Sequence, residues 1–361
     1  MNAKYLITVN TRAMMVCLAA SAVFGLSAIV WGQENNPSPV MGEDGIPEGY
    51  RFVEGDMLVP ISNTASVYLI NLWADGIVYY VFHPNVTPAN QARAIAAMRE
   101  WEAVANVRFV TPVPPFVSYL QIFDSTGGTN SNFSLVGAGF PGQPVSIFNW
   151  EEHFVIVHEL GHALGFWHEQ GRFDRNDFVR INYGNIDNSP CAPVVGCGFN
   201  FEHPPLSGEY GPYDLDSVMH YGQCDFSRCI GCPNSTDPTC TEGGRTITVL
   251  PPNEAMQNTI GHLDHLSKKD AMVMSFLYKQ DDWVFVDNVC CNHGFSCISP
   301  QQNGTFGCPY VVNPSNNLQP VINLTPEDGT LWILSAANYS AGGPLARPMT
   351  IAAPLGATLT P

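Results

Sequence analysis

The chain has 361 residues, 45% of them hydrophobic and only 13% charged, with a formal net charge of −17. That length and apolar content call for two or three domains with real cores. The acidity removes long-range attraction to polyanions and excludes nucleic acid as a partner, and by itself it names no substrate.

The N-terminus reads as a targeting segment. Lys4 and Arg12 form a basic start, Ala13 to Trp31 carries no charge, and small residues near Gly32 suit a signal peptidase. Residues 1–32 are therefore expected to be a signal peptide that exports the rest, giving a secreted, periplasmic or cell-surface product. The apolar run is also long enough to span a bilayer, so membrane association remains open if it is not cleaved. Eleven cysteines agree with export. Cys17 lies in the leader, six lie between Cys191 and Cys240, and four between Cys290 and Cys308. The ten left after cleavage suit disulfides, whose connectivity cannot be read. The Cys229–Cys232 pair leaves a structural zinc site as the rival reading.

Residues 33–71 read as a linker and pro-segment, rich in Pro, Gly, Asn and Asp at first and then mixed. Gly76 to His83 is a strand by composition. Thr87-Pro88 supplies an N-cap and a first-turn proline, and Ile95, Met98, Trp101 and Val104 recur at helical spacing towards Asn106. Strands are expected at 107–110, 118–123 and 145–149. Residues 153–164, HFVIVHELGHAL, read as a helix with Phe154, Val157, Leu160 and Leu164 on its buried stripe. An irregular stretch follows to about residue 245. A last helix is expected at 267–278, capped by Ser267, with Ala271, Met274, Phe276 and Leu277 inward. Composition shifts after Lys279.

The chemistry concentrates in His158-Glu159-Leu160-Gly161-His162-Ala163-Leu164-Gly165-Phe166-Trp167-His168-Glu169. Helical residues four apart share a face, so His158 and His162 can hold one metal. Glu159 lies beside the first ligand, where its carboxylate reaches a water at the metal instead of the metal itself. Gly165 tolerates positive φ, which lets the helix stop and the chain bring His168 round. Three imidazoles with one open position describe a catalytic zinc site holding one Zn²⁺.

This string matches the metzincin consensus. Arg172, Asp174, Arg175, Asp177, Val179, Ile181, Asn182 and Asn185-Ile186, with Ser217-Val218-Met219-His220-Tyr221, resemble the astacin family, in a bacterial-type secreted form, over residues 72–279. The resemblance implies an α+β fold, the two-lobe metallopeptidase of the metzincins. Its upper lobe is a twisted mixed sheet with two helices, and its lower lobe is irregular. It implies zinc ligation by His158, His162 and His168, Glu159 as general base, and Met219 as the floor of the site. Tyr221 would be a switchable further ligand that stabilises the tetrahedral oxyanion. Glu169 would bind the amino terminus of the matured enzyme. Phe52-Val53-Glu54-Gly55-Asp56 is similar to the family's pro-segment motif, which implies Asp56 as an aspartate switch that takes the water's place; the rival is an exposed turn.

There are departures from the pattern. Asn106 and Asn132 stand where family cysteines are expected, and between Cys17 and Cys191 there is no cysteine. No Lys or Arg lies between Arg51 and Arg93, so a trypsin-like activator has no site there.

Residues 280–361 are expected to be a small β-rich extension. Gly329–Leu334 and Pro348–Ile351 read as strands about one coil apart, which with Asn303-Gly304-Thr305 resembles the opening turns of a parallel β-helix. A disulfide-pinned module and a disordered tail are the alternatives. Six N-x-S/T sequons, at Asn85, Asn132, Asn234, Asn303, Asn323 and Asn338, matter only where the source glycosylates exported proteins. The expected function is a secreted zinc endopeptidase acting on protein or peptide substrates, of unknown oligomeric state. The alternative is an exported binding or adhesion protein that keeps a latched or inactive metallopeptidase fold. Completeness of the ligand set favours the enzyme.

Overall fold

The structure is a computed structural model. It describes residues 47–60, 72–115, 117–187, 200–203, 211–228, 243–261, 264–278, 283–287, 310–311, 318–333, 338–340, 348–353 and 357–360. The expected leader, the Cys229–Cys232 pair and Asn303-Gly304-Thr305 lie outside these. Among the described residues, no helix is long and apolar enough to cross a membrane.

A seven-stranded mixed sheet organises residues 50–147. Its strands are β1 (Tyr50–Val53), β2 (Met57–Pro60), β3 (Ile77–Phe82), β4 (Arg108–Val110), β5 (Tyr119–Asp124), β6 (Phe133–Leu135) and β7 (Pro141–Ile147), in the order β1-β2-β6-β7-β5-β3-β4. From β4 across to β7 the neighbours run parallel, β6 lies antiparallel to β7, and β2 joins β6 in parallel. The turn between β1 and β2 thus hangs at one end of the sheet beside β6. The sequence reading had no strands in 33–71; the structure places a hairpin there.

Two helices pack on the sheet: α1 (Pro88–Val104) and α2 (His153–Leu164). Thr87 caps α1 by accepting from the Asn90 amide. Its buried face is Asn90, Ala94, Ala97, Met98 and Trp101, whereas Ile95 is 37% exposed. Small alanines, not the large residues alone, therefore set this contact. On α2, Ile156, Val157, Leu160, Ala163 and Leu164 are buried, and Phe154 only partly.

The last carbonyls of a helix have no partner within it, and on α2 each of the four finds one. Gly161 accepts from the Phe166 amide, and His162 from the Gly165 and Gly137 amides. Ala163 accepts from the Trp73 indole at 2.8 Å and Leu164 from the Tyr278 hydroxyl at 2.8 Å. Gly165 ends the helix at φ 116°, ψ 3°. A Cβ there is strained by about 1–2 kcal/mol. Gly165→Ala is expected to lower thermal stability by that amount, read as a Tm fall of several degrees; an unchanged Tm would contradict it.

Below the sheet, β8 (Val179–Ile181) pairs antiparallel with β9 (Ile247–Val249) over an apolar cluster including Phe201, Tyr213 and Tyr221. Helix α3 (Lys268–Leu277) begins at Ser267 with a capping box closed by Asp270. It buries Met272 and Met274, while Ala271, Phe276 and Leu277 are only partly covered. Cys224 is disulfide-bonded.

The C-terminal strands are β10 (Trp283–Asp287), β11 (Tyr310–Val311), β12 (Thr330–Ile333), β13 (Asn338–Ser340), β14 (Thr350–Ala352) and β15 (Thr358–Thr360), with a short helix α4 (Gln319–Leu324). All are paired in parallel, in the orders β11-β10-β12-β14 and β13-β15. Thr330 faces Thr350 and Asn338 faces Thr358, so the β12–β14 and β13–β15 steps are the same 20 residues (350 − 330 and 358 − 338). One coil of chain therefore contributes a strand to each sheet. Leu318, Ile322, Leu331, Ile333 and Tyr339 fill the interior, and Trp332 packs on the Met272 cluster of α3.

Candidate metal centre

Helix α2 presents His158 and His162 one turn apart, and the Gly165 reversal returns His168 beside them. The Nε2 atom of His158 lies 3.0 Å from that of His162 and 3.2 Å from that of His168. His162 and His168 are 0% and 1% exposed and His158 is 7% exposed. Asp56 closes the cluster: its carboxylate lies 3.6 Å from His158 Nε2, 3.8 Å from His162 Nε2 and 3.3 Å from His168 Nε2. One donor atom from each of the four lies within 4.8 Å of the others.

The outer partners decide what the cluster can hold. His158 Nδ1 donates to the Val218 carbonyl and His162 Nδ1 to the Phe166 carbonyl, each at 2.8 Å. A carbonyl only accepts, so both Nδ1 atoms carry a proton, and a neutral ring in that tautomer keeps a bare Nε2 lone pair. Burial, then the neighbouring His158 and His168 charges, push His162 well below its ordinary range. Bare nitrogen lone pairs 3.0 Å apart repel unless a cation lies between them. Three imidazoles and a carboxylate at this spacing, with fixed outer partners, suit one tetrahedral Zn²⁺.

His168 differs from the other two. Its Nδ1 faces the carboxylate of Glu54 at 2.8 Å. Glu54 is 1% exposed and stands at φ 51°, followed by Gly55 at φ 88°. This turn, between β1 and β2, puts Asp56 at one nitrogen of His168 and Glu54 at the other. Gly55 is favoured by its positive φ, and a Cβ there would also sit tightly against Phe226 Cζ at 3.0 Å and Asn200 Nδ2 at 3.3 Å. The Asp56 carboxyl is pushed up by burial, but the imidazoles facing it, His168 first, outweigh this and hold it below the usual carboxylate range.

Glu159, 1% exposed, lies on α2 beside these ligands, and its Oε2 has no hydrogen-bond partner among the described residues. Burial first, and then the Asp56 charge, push its carboxyl well above the ordinary range. The Tyr221 ring lies 4.4 Å from that of His168, and its hydroxyl donates to the Glu54 carbonyl. The hydroxyl expected as a further ligand is thus engaged by the β1–β2 turn, while Asp56 completes the donor set.

Met219 is buried beneath α2. A Cβ on Gly161 would stand 2.8 Å from its sulfur, so this glycine allows the methionine its place. The methionine turn is pinned from α3: Asp270 accepts from Ser217 Oγ at 2.6 Å and the Val218 amide at 2.9 Å, besides its own cap bond to the Ser267 amide at 3.0 Å. Burial, with Asp214 adding, pushes Asp270 up to about 6. Asp270→Ala leaves these donors unpaired inside the protein and is expected to cost about 3 kcal/mol, a Tm loss of roughly 6–12 °C. A shift under about 2 °C would contradict that.

Glu169 accepts from the Asp214 amide at 2.7 Å, with Arg172 Nη1 at 3.5 Å. Burial, with Asp214 adding against Arg172, pushes it up to about 8. A cavity of about 60 Å³ lies here, bounded also by Asp214, Lys269 and Asp270. Sequence reasoning missed Glu54 and Asp270. A glutamate two residues before the latch aspartate was the available signal for the first. For Asp270, Ser267 was read as the helix cap, but the aspartate three residues on that closes the box was not.

A helix–turn set of three histidines over a methionine turn, closed by one carboxylate, is a centre built to hold one metal ion. Residues 65–279 match the profile of the Astacin peptidase family, more than half of the chain, and the chain belongs to the astacin family. It is 33% identical over 224 residues to the zinc metalloproteinase nas-39 of Caenorhabditis elegans, covering 61% of this chain and 22% of that one. It is 33% identical over 215 residues to a bone morphogenetic protein 1 homolog of Strongylocentrotus purpuratus, covering 57% and 30%. The chain therefore spans less than a third of the length of these two curated relatives. Among solved structures, it is 28% identical to high choriolytic enzyme 1, a hatching enzyme zinc-protease of Oryzias latipes. That match has a TM-score of 0.47 and covers 58% of this chain and 92% of that one.

Proposed function

We propose that the chain is a zinc endopeptidase in its latent form. The observation that carries this reading is the convergence of the three Nε2 atoms, 3.0 and 3.2 Å apart, with the Asp56 carboxylate at the fourth corner. His158, His162 and His168 would hold the ion, and Asp56 would fill the remaining position until the pro-segment leaves. When bound, zinc supplies a Lewis acid that polarises a peptide carbonyl and acidifies water.

The rest is the work of side chains. Glu159 takes the proton of the attacking water on its free carboxylate oxygen and later delivers it to the leaving amine nitrogen. Tyr221, once released from the Glu54 carbonyl, is free to donate its hydroxyl to the oxyanion. Met219 supports α2 from below. Glu169, beside its cavity, receives the new amino terminus, as the family resemblance implies. Residues 1–32 act as an export signal, 33–71 as linker and pro-segment, 72–279 as the catalytic domain and 280–361 as an extension with the parallel coil repeat. The product is secreted, and proteins or peptides are its substrates.

Casein hydrolysis by the matured chain, with and without 1,10-phenanthroline, tests this reading. Cleavage abolished by the chelator and restored by zinc is expected. No chelator-sensitive cleavage would favour the binding-protein alternative.

A further inference from the structure

Two of the three histidines rest on backbone carbonyls that belong to the catalytic domain, Val218 and Phe166. The third rests on a side chain from 114 residues earlier. Glu54 reaches His168 Nδ1 at 2.8 Å, while Asp56 stands 3.3 Å from Nε2 of the same ring. Both edges of this imidazole thus face carboxylates of one turn. Glu54 is also fixed through its backbone, whose carbonyl accepts from the Tyr221 hydroxyl. A glutamate that is 1% exposed and held at φ 51° is costly unless its carboxylate is matched. Here the imidazole meets Oε2, while Oε1 has no hydrogen-bond partner among the described residues.

A carboxylate on the far nitrogen of a ligating histidine fixes its tautomer, aims the other nitrogen at the metal and raises its basicity. Losing such a partner typically costs about 10–100-fold in metal affinity. We propose that Glu54 is an outer-shell residue of the metal site, present in the latent chain and lost with the pro-segment. The turn then acts twice, Asp56 at the open corner and Glu54 behind the third ligand, and the latent form holds its metal more tightly than the histidines alone would. This rests on the proposed zinc site and adds to it a positioning residue that the catalytic domain does not itself supply.

Competition for Zn²⁺ between the full-length chain and a fluorescent chelator tests the assignment. Glu54→Ala is expected to weaken zinc binding about 10–100-fold. Glu54→Gln keeps an acceptor oxygen without the charge and is expected to lose less than Glu54→Ala. Glu48→Gln, on an exposed position of the same segment, serves as the control and should bind like the parent. Zinc held equally by Glu54→Ala and the parent would overturn the proposal. If Glu54→Ala does not fold by circular dichroism, the near-isosteric Glu54→Gln carries the test, and an affinity equal to the parent's would overturn it. A parent chain that takes up no zinc would instead bring down the metal-site reading beneath it.

Discussion

Glu159→Gln is expected to keep one zinc per chain and lose nearly all turnover. The substitution is close to isosteric at a position that is 1% exposed. None of the histidine Nδ1 atoms depends on Glu159: their partners are Val218, Phe166 and Glu54. What disappears is the proton acceptor. General-base catalysis accounts for about 10²–10⁴-fold in rate, so the activated variant should fall by at least that much in kcat/KM on casein-derived peptides. Elemental analysis on the same preparation separates chemistry from structure. Parental turnover would refute the role of the base, and loss of zinc together with activity would show that Glu159 acts in the fold.

Asp56→Ala in the full-length chain is expected to raise the low residual activity of the parent. Among the described residues of the cluster, Asp56 is the only donor from outside the stretch 65–279 that matches the family profile. A lost ligand contact of about 1.4 kcal/mol already corresponds to tenfold, so a rise of about tenfold or more in initial rate should follow. Activity is not expected to reach that of the matured enzyme. The hairpin remains paired along β6, and Met57 and Val59 stay buried with Val53 against Val136 and Trp167. Hydrolysis of a small fluorogenic peptide, measured before any self-cleavage appears on a gel, reads the effect. A full-length variant no more active than the parent would show that the hairpin alone blocks the cleft.

What the sequence made legible follows the range of the forces involved. Helix α2 was read to its ends, because its apolar stripe and the terminating Gly165 are local. The same holds for the caps at Thr87 and Ser267. The inward face of α1 was read in part: Met98 and Trp101 are buried and Ile95 is not, while the buried Ala94 and Ala97 are small residues that a search for large apolar ones passes over. The β1–β2 hairpin was not legible. Its strands have four residues each and are held by pairing with β6, far along the chain. Glu54 was missed for the same reason, since its partner lies 114 residues on. Asp270 was missed as well: only Ser267 was read as a cap, and the aspartate's bonds to Ser217 and Val218 are tertiary. The parallel coil of the C-terminal strands is visible only as a 20-residue offset between two short apolar runs, Thr330 facing Thr350.

The account depends on one divalent ion held among His158, His162 and His168. The direct test is the metal content of the folded full-length chain after exhaustive dialysis, by inductively coupled plasma mass spectrometry. One zinc per chain is expected, falling towards zero in His162→Ala under the same dialysis. A folded parent chain carrying no stoichiometric metal would contradict it.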